Sequence, residues 1–329
     1  MVGSRTRKGT RVIRYRSFRN PDPPGLAAVW NQSFTARGAV RPVSPLLLET
    51  YLFAKPYFDH DGLIVAESDD TVIGFALAGF GPGPGGKGID RQDGILCFLA
   101  VAPDQRRQGV GTELLRRAEA YLRDRGARTL YAGALGWRSP FGFGLYGGSQ
   151  PSGFLDSDVL ARPFFEKRGY KVNRTQLVLH LALKGLVEVA DGRFPGLRQK
   201  LTIQGGPWHG LTPWQEAVLG PLELTELRLE EKVGGKVRAR AMLWEMEETF
   251  SPTWGEHAIG LVEVEVTAES RRQGMAKFLV FYLMRYYQEQ YFTLVEMSIG
   301  ENHDATLRLA RGLGFQQVDT GRRFVRIES

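Results

Sequence analysis

A short glycine-containing segment occurs twice in this chain of 329 residues, each time between an apolar run and a helical pattern. The first copy, RRQGVG, begins at Arg106, and the second, RRQGMA, begins at Arg271, half a chain length further on. Repetition at such an offset, in matched surroundings, is the signature of fused homologous units. The sequence therefore predicts two tandem domains of the same fold.

Each copy follows an apolar strand pattern and opens a helix. In the first helix, Leu114, Leu115, Ala118 and Leu122 recur at the spacing of one apolar stripe, and charged residues occupy the other face. Glycines at a strand-to-helix turn let consecutive backbone N–H groups point into one concavity, where the positive end of the helix dipole also attracts an anion. The repeated segment is thus a candidate phosphate cradle, although a plain turn would fit a single copy equally well.

The two segments resemble the signature of the GCN5-related N-acetyltransferases (GNAT), which reads Gln/Arg-x-x-Gly-x-Gly/Ala. A second signature of that family, a glycine followed by an aromatic residue at the end of the last helix, fits Gly169-Tyr170 and Gly314-Phe315. The resemblance therefore covers both halves of the chain. It implies binding of acetyl-coenzyme A as co-substrate, transfer of acetyl to an amine acceptor, and no metal.

The resemblance also implies which residues hold the coenzyme. In the family, the strand before the loop contacts the pantetheine arm and the loop contacts the pyrophosphate. The corresponding residues of the first half are Leu99, Ala100, Val101, Arg106, Arg107, Gln108, Gly109, Val110, Gly111 and Thr112, and those of the second half are Val264, Val266, Arg271, Arg272, Gln273, Gly274, Met275, Ala276 and Asn302.

The fold class implied is α+β, in three layers, with two tandem acyl-CoA N-acyltransferase domains. Each domain is expected to be a mixed, mostly antiparallel twisted sheet flanked by helices. We place the domains at residues 1–184 and 185–329, each with its own core, and interpret the turn-rich segment 185–221 as a connection and degenerate start. An unbroken apolar run at 278–284 predicts a helix covered on more than one side, by the other domain or by a second copy of the chain.

Composition limits the remaining classes. The one cysteine, Cys97, lies in an apolar run and is expected in the core, so neither a disulfide framework nor a cysteine-based metal site is expected. The apolar stretches are too short to span a bilayer, and the N-terminus lacks the apolar core of a signal peptide. We expect a cytoplasmic protein without membrane contact, as a monomer or a homodimer.

The formal net charge of +7 is local. Residues 1–20 contain seven basic residues and no acidic one, and the rest of the chain sums to zero. We interpret the basic residues as a solvent-facing first strand plus a loose tail. Contact of this tail with RNA or the ribosome is an alternative, which the absence of aromatic stacking residues disfavours.

The first half carries an additional loop, 137–156, which the second half lacks. It is rich in glycine and aromatic residues. Our hypothesis is that this loop shapes the acceptor pocket, and a surface loop folded over its own aromatic residues is the alternative.

The sequence offers several candidates for the catalytic groups. The tyrosine that often serves as acid in the family is replaced by Phe165 and Ala310. Tyr146, Tyr170 and Glu265 are the candidate substitutes, although packing or a solvated strand face explains each of them too. The first half is favoured as the catalytic one, and a non-catalytic acyl-CoA-binding or scaffolding protein remains an alternative.

Overall fold

The computed structural model describes residues 12–186, 190–246 and 257–327. The elements of the first half are β1 (Ile13–Ser17), α1 (Pro23–Ser33), α2 (Pro45–Leu48), β2 (Leu63–Ser68), β3 (Thr71–Pro82), β4 (Ile89–Val101), α3 (Val110–Asp124), β5 (Thr129–Ala132), β6 (Phe154–Leu155), α4 (Ala161–Glu166) and β7 (Lys171–Ala182). Those of the second half are α5 (Phe194–Lys200), β8 (Leu201–Pro207), α6 (Pro213–Leu219), β9 (Thr225–Glu231), β10 (Val237–Met246), β11 (Ala258–Val266), α7 (Met275–Glu289), β12 (Leu294–Gly300), α8 (Asp304–Gly312) and β13 (Gln316–Ile327).

The helix after the first cradle forms as its apolar stripe predicts. In α3, Leu114, Leu115, Ala118 and Leu122 are buried, and α3 packs on strands β2, β3 and β4. Glu113 pairs with Arg116 and Arg117 on the outer face. The buried stripe therefore holds α3 against the sheet, and the loop that forms the cradle connects the end of β4 with the start of α3.

The segment 185–221 is more ordered than its composition predicts. It contains α5, β8 and α6, and β8 is the edge strand of the second half. Prolines occupy the first turns of both helices, where the missing N–H costs nothing, and Thr212 forms a capping box with Gln215. Of the two prolines that suggested turns, Pro213 begins α6 and Pro207 ends β8.

All strands belong to one sheet, in which the two halves exchange their last strands. The order is β1-β2-β3-β4-β5-β13-β7-β12-β11-β10-β9-β8, with β6 paired to β13. Strand β13 of the second half pairs with β5 of the first, and β7 of the first half pairs with β12 of the second. Between them, β7 and β13 pair antiparallel at the centre of the sheet. Each half therefore completes the sheet of the other.

The structure has two apolar clusters, and each contains residues of both halves, so the expectation that each half buries a core of its own residues is wrong. One apolar cluster runs from the first half into the second, where it includes Trp214, Trp244 and Phe324. The other lies under α7 and includes Leu179 and Leu181 of β7. Hydrophobic burial is shared because a central strand contributes side chains to both neighbours. The boundary at 184/185 stays a prediction.

The first strand differs from the expected solvent-facing row of arginines. Arg16 is only 17% exposed, and its guanidinium forms ion pairs with Asp22 at 2.8 Å and Glu67 at 2.7 Å. Arg14 pairs with Asp70 at 2.7 Å. Part of the basic charge at this end is therefore neutralised within the fold, because β2 and its turn present carboxylates to β1.

Cys97 is buried, as predicted, and burial raises the pKa of its thiol well above the usual range. Across the described ranges, each helix is too short or too polar to cross a membrane.

Candidate functional site

The strands on either side of the first cradle separate before they end. Strand β4 pairs in parallel with β5 over Asp93 to Leu96 and then continues to Val101, while β5 stops at Ala132. The opposite edge of β4 stays paired with β3 as far as Val101. The last residues of β4 consequently present a backbone edge to an opening and not to a strand.

The loop that follows has the backbone conformation that its glycine requires. Gly109 has φ +86° and is the N-cap of α3, and Arg107 is also left-handed, with φ 64°. A Cβ at Gly109 would meet nothing within 4 Å, so the surface there is open. The N–H groups of the first turn of α3 have no intrahelical partner, and the positive end of the helix dipole adds to their attraction for an anion.

Arg106 fixes this loop to the strand. Its Nε donates to the carbonyl of Val101 at 3.0 Å, and Nη2 donates to the carbonyl of Ser33 at 3.4 Å. The guanidinium thus positions the cradle by bridging β4 and the end of α1.

A cavity of about 440 Å³ connects the cradle with the open edge of β4. This volume lies within the range of small-molecule sites. Helix α4 forms the far wall, where the Arg168 guanidinium lies 3.7 Å from the centroid of the Phe164 ring and donates to the Thr112 hydroxyl. Burial lowers the pKa of Arg168. The predicted residues that line the cavity are Leu99, Ala100, Val101, Arg106, Arg107, Gly109, Gly111 and Thr112.

Two predicted residues of the loop have other positions. The side chain of Gln108 donates to the carbonyl of Asp104 at 3.2 Å on the surface. Val110, the first residue of α3, is 1% exposed and packs in the core. Their backbones belong to the cradle, but their side chains are not among those that line the cavity.

The cavity wall contains an acidic residue, Asp158, that the sequence did not predict to be part of the site. It lies in the cavity wall together with Phe34, Phe154 and Leu160. Burial raises the pKa of its carboxyl group, and the Leu160 N–H and the charge of Arg106 oppose that rise. A carboxylate in a largely apolar wall is a candidate proton acceptor. The sequence marks Asp158 only by its place next to Ser157, which stands as far before Gly169 as Asn302 stands before Gly314.

The candidate tyrosines of the first half lie outside the cavity wall. Tyr146 is buried against Phe34, with ring centroids 5.4 Å apart, and its hydroxyl accepts from the Leu155 N–H at 3.1 Å. Tyr170 donates to Glu119 Oε1 at 2.9 Å. Burial raises the pKa of both hydroxyls. The structure does not bring either tyrosine to the cavity next to the cradle.

The second loop repeats the backbone of the first but has a different cover. Arg272 and Gly274 have φ of 60° and 85°, and Arg271 Nε donates to the carbonyl of Val266 at 3.4 Å. However, a Cβ at Gly274 would lie 3.0 Å from Cζ of Arg193, so a guanidinium covers the surface that is open at Gly109.

The other candidates of the second half are spread around this loop. Glu265 is exposed on β11 and pairs with Arg240 at 2.6 Å. Val264 and Val266 pack against the apolar cluster under α7. Asn302 is exposed in the turn before α8. Met275 is buried, and Ala276 is half-buried in the first turn of α7.

The loop 137–156 is buried between the two halves. The Ser149 N–H donates to the Glu296 carboxylate, which also contacts His180 Nε2 at 2.7 Å. Trp244 Nε1 donates to the Ser149 carbonyl at 2.9 Å. Most aromatic residues of the loop are core residues, and Trp137 is half-buried. Only the end of the loop, at Phe154, is among the described residues that line the cavity, and the acceptor hypothesis stays a prediction.

Comparison with known proteins identifies the fold and the family. Residues 27–137 match the Acetyltransferase (GNAT) family. The chain carries a GNAT domain. No curated protein sequence matches the chain.

Solved structures extend the GNAT fold over both halves. A GCN5-related glucosamine N-acetyltransferase region of a fungal multi-domain GH3 β-N-acetylglucosaminidase is 17% identical, with a TM-score of 0.69 over 97% of this chain, which spans only 38% of that protein. A tandem GNAT protein from the clavulanic acid biosynthesis pathway is 16% identical, with a TM-score of 0.64 over 96% of this chain and 98% of that chain.

A GCN5-related N-acetyltransferase from Sphaerobacter thermophilus is 15% identical, with a TM-score of 0.61 over 95% of both chains. Together these likenesses confirm the predicted fold class, a tandem arrangement of GNAT domains.

Proposed function

We propose that this protein is an N-acetyltransferase that transfers acetyl from acetyl-coenzyme A to a primary amine, with the first half as the catalytic one. The observation that carries the proposal is the cavity that joins the cradle at Gly109 to the open edge of β4. The first-turn N–H groups of α3 suit a pyrophosphate, and the backbone edge of β4 at Leu99 and Ala100, which faces the opening, suits an extended amide-containing arm. Membership of the family favours the same co-substrate.

The chemistry asks little of the protein beyond position and proton transfer. The nitrogen of a neutral amine attacks the thioester carbonyl carbon, a C–N bond forms, and the C–S bond breaks. The amine loses one proton, and the departing thiolate gains one. Asp158 is the group in the cavity wall that is suited to accept the first proton, because burial raises its pKa and so makes its carboxylate a stronger base.

Gly111→Glu tests the coenzyme site. A carboxylate in the first turn of α3 is favourable for the helix, yet it repels a pyrophosphate at the same place. The added Cβ would lie 3.3 Å from the Phe164 ring, which small movements of that ring accommodate. We expect a repulsion of about 2 kcal/mol or more, and hence an affinity for acetyl-coenzyme A at least about 30-fold weaker, by calorimetry.

The matched control is Ala276→Glu, the same charge change at the same position of the second loop. Its affinity should stay within twofold of the parent, and both variants should keep the parent's melting temperature. Unchanged binding by Gly111→Glu, in a folded protein, would contradict the coenzyme site.

A screen of amines, amino acids, aminoglycosides and peptides, in which release of the coenzyme A thiol is measured, identifies the acceptor. Coenzyme binding without turnover across the screen would leave the non-catalytic alternative.

Asp158→Asn tests the proton acceptor. With an acceptor from the screen, kcat should fall at least about 100-fold, the lower end of the typical contribution of a general base, while the KM for acetyl-coenzyme A stays within twofold. The parent's rate should rise with pH through the elevated pKa of Asp158, and the variant should lack that rise.

Glu166→Gln serves as control, since that carboxylate lies on α4 in an exposed pair with Arg162 at 2.8 Å. Equal rates and equal pH profiles for Asp158→Asn and the parent would remove Asp158 from the chemistry.

A further inference from the structure

Three side chains of the second half form a cluster over the second loop, which we name the clasp. It consists of Asp191, Arg193 and Lys277. Arg193 contacts Asp191 with two donors, Nε at 2.8 Å and Nη2 at 2.6 Å, and Lys277 Nζ lies 3.3 Å from the same carboxylate. The side chain of Asp191 is only 9% exposed, and the hydrogen bonds from Arg193 hold the pKa of Asp191 far below its usual range. The clasp therefore carries a carboxylate that is ionised at neutral pH.

The clasp occupies the surface that is open in the first half. The Arg193 guanidinium lies on Gly274, with Cζ and Nε 3.0 Å from the position of an added Cβ. The equivalent position at Gly109 has nothing within 4 Å. Since the two loops share their backbone angles, the difference comes from this cover and not from the loops themselves.

The short helix α5, which begins directly after Arg193, is anchored to α7. Phe194 packs against Phe278 and Phe281, with ring centroids 5.2 Å and 5.7 Å apart, and it is buried. Helix α5 thus covers part of the apolar run in α7, although the sequence predicted a connection there. A buried aromatic anchor next to a bidentate ion pair favours a persistent position of Arg193.

The charges of the clasp suit the end of the helix. An anion is favourable near the positive end of the α7 dipole, and two cations beside it would be unfavourable without a counter-ion. Asp191 supplies that counter-ion from within the chain, in the region where a bound phosphate would supply it.

We propose that the clasp closes the second loop to the coenzyme, with Asp191 as an intramolecular substitute for phosphate, so that the chain binds one coenzyme and not two. This inference rests on the proposed function, because it assumes that the first loop is a coenzyme site. It also implies that the second copy of the repeated segment serves the fold and does not bind a coenzyme.

The test counts coenzyme A sites by calorimetry. The parent should bind one molecule per chain, and Gly111→Glu should remove that site. The double variant Asp191→Ala/Arg193→Ala, which leaves the net charge unchanged, should gain a second site. Adding Ala276→Glu to the double variant should abolish the gained site. Arg198→Ala, on the same short helix and exposed, is the matched control and should bind one molecule.

Two results would overturn the clasp while the proposed function stands: two sites in the parent, or a single site in a folded double variant. If the double variant does not fold, Asp191→Asn/Arg193→Gln, which removes both charges, leaves the net charge unchanged and keeps side chains of similar size, replaces it with the same expectation. No binding by the parent overturns the proposed function itself, which the parent's site count reveals before any clasp variant is measured.

Discussion

Neither half of this chain will fold when it is produced alone as residues 1–184 or 185–329. In the first fragment β5 loses β13, and with it Phe324, which is 1% exposed and packs 5.3 Å from Phe165. Removing such an aromatic residue costs about 3–5 kcal/mol, against a total stability of about 5–15 kcal/mol for a typical domain. In the second fragment β12 loses β7, together with Leu179 and Leu181.

We expect each isolated fragment to bind a hydrophobic dye and to show no cooperative thermal transition by circular dichroism. Co-production of the two fragments is the matched control, because it restores every strand and changes only the chain connection. It should give a complex that melts cooperatively. A monomeric fragment 1–184 that melts within a few degrees of the full chain would contradict the dependence on strand exchange.

The sequence predicted the elements of the fold better than their partners. The repeated glycine segment and the stripe of α3 indicated two strand-loop-helix units, and the structure contains both. Strand exchange left no trace in the pattern, because β7 and β13 hold equivalent places in the repeat and the periodicity within a strand does not specify its partner. Phe324 and Leu179 would be apolar in both arrangements, so hydrophobic periodicity cannot distinguish them.

The candidate site divides in the same way. Gly109 and Gly274 were predictable because their positive φ angles favour glycine, which marks the turn in the sequence. Asp158 and Arg193 were missed, because each acts on residues that are distant along the chain. Asp158 matters because it lines the cavity, and Arg193 because it covers Gly274. Such contacts between distant residues have no local signature in the sequence.

Replacing the loop 137–156 by a short turn will unfold the protein and not merely alter its choice of acceptor. Four of its side chains, Phe141, Phe143, Leu145 and Tyr146, are at most 5% exposed. Loss of a buried apolar side chain costs about 2–5 kcal/mol, so the loss of four costs about 8–20 kcal/mol, against a stability of about 5–15 kcal/mol for a typical domain. Glu296 would also lose the Ser149 N–H and remain buried beside His180. We expect little soluble protein and no near-ultraviolet circular dichroism.

A point-variant pair separates the loop's structural role from the predicted acceptor role. Phe154→Ala removes a ring from the cavity wall, whereas Phe143→Ala removes one that stacks on Trp137, with centroids 5.0 Å apart, away from the cavity. Both rings are at most 4% exposed, so each variant should lose about 3–5 kcal/mol in urea unfolding. Only Phe154→Ala should change the KM for the acceptor. Equal acceptor KM values in the two variants would mean that the loop serves packing alone, since the loss of stability is matched and only the position of the ring differs.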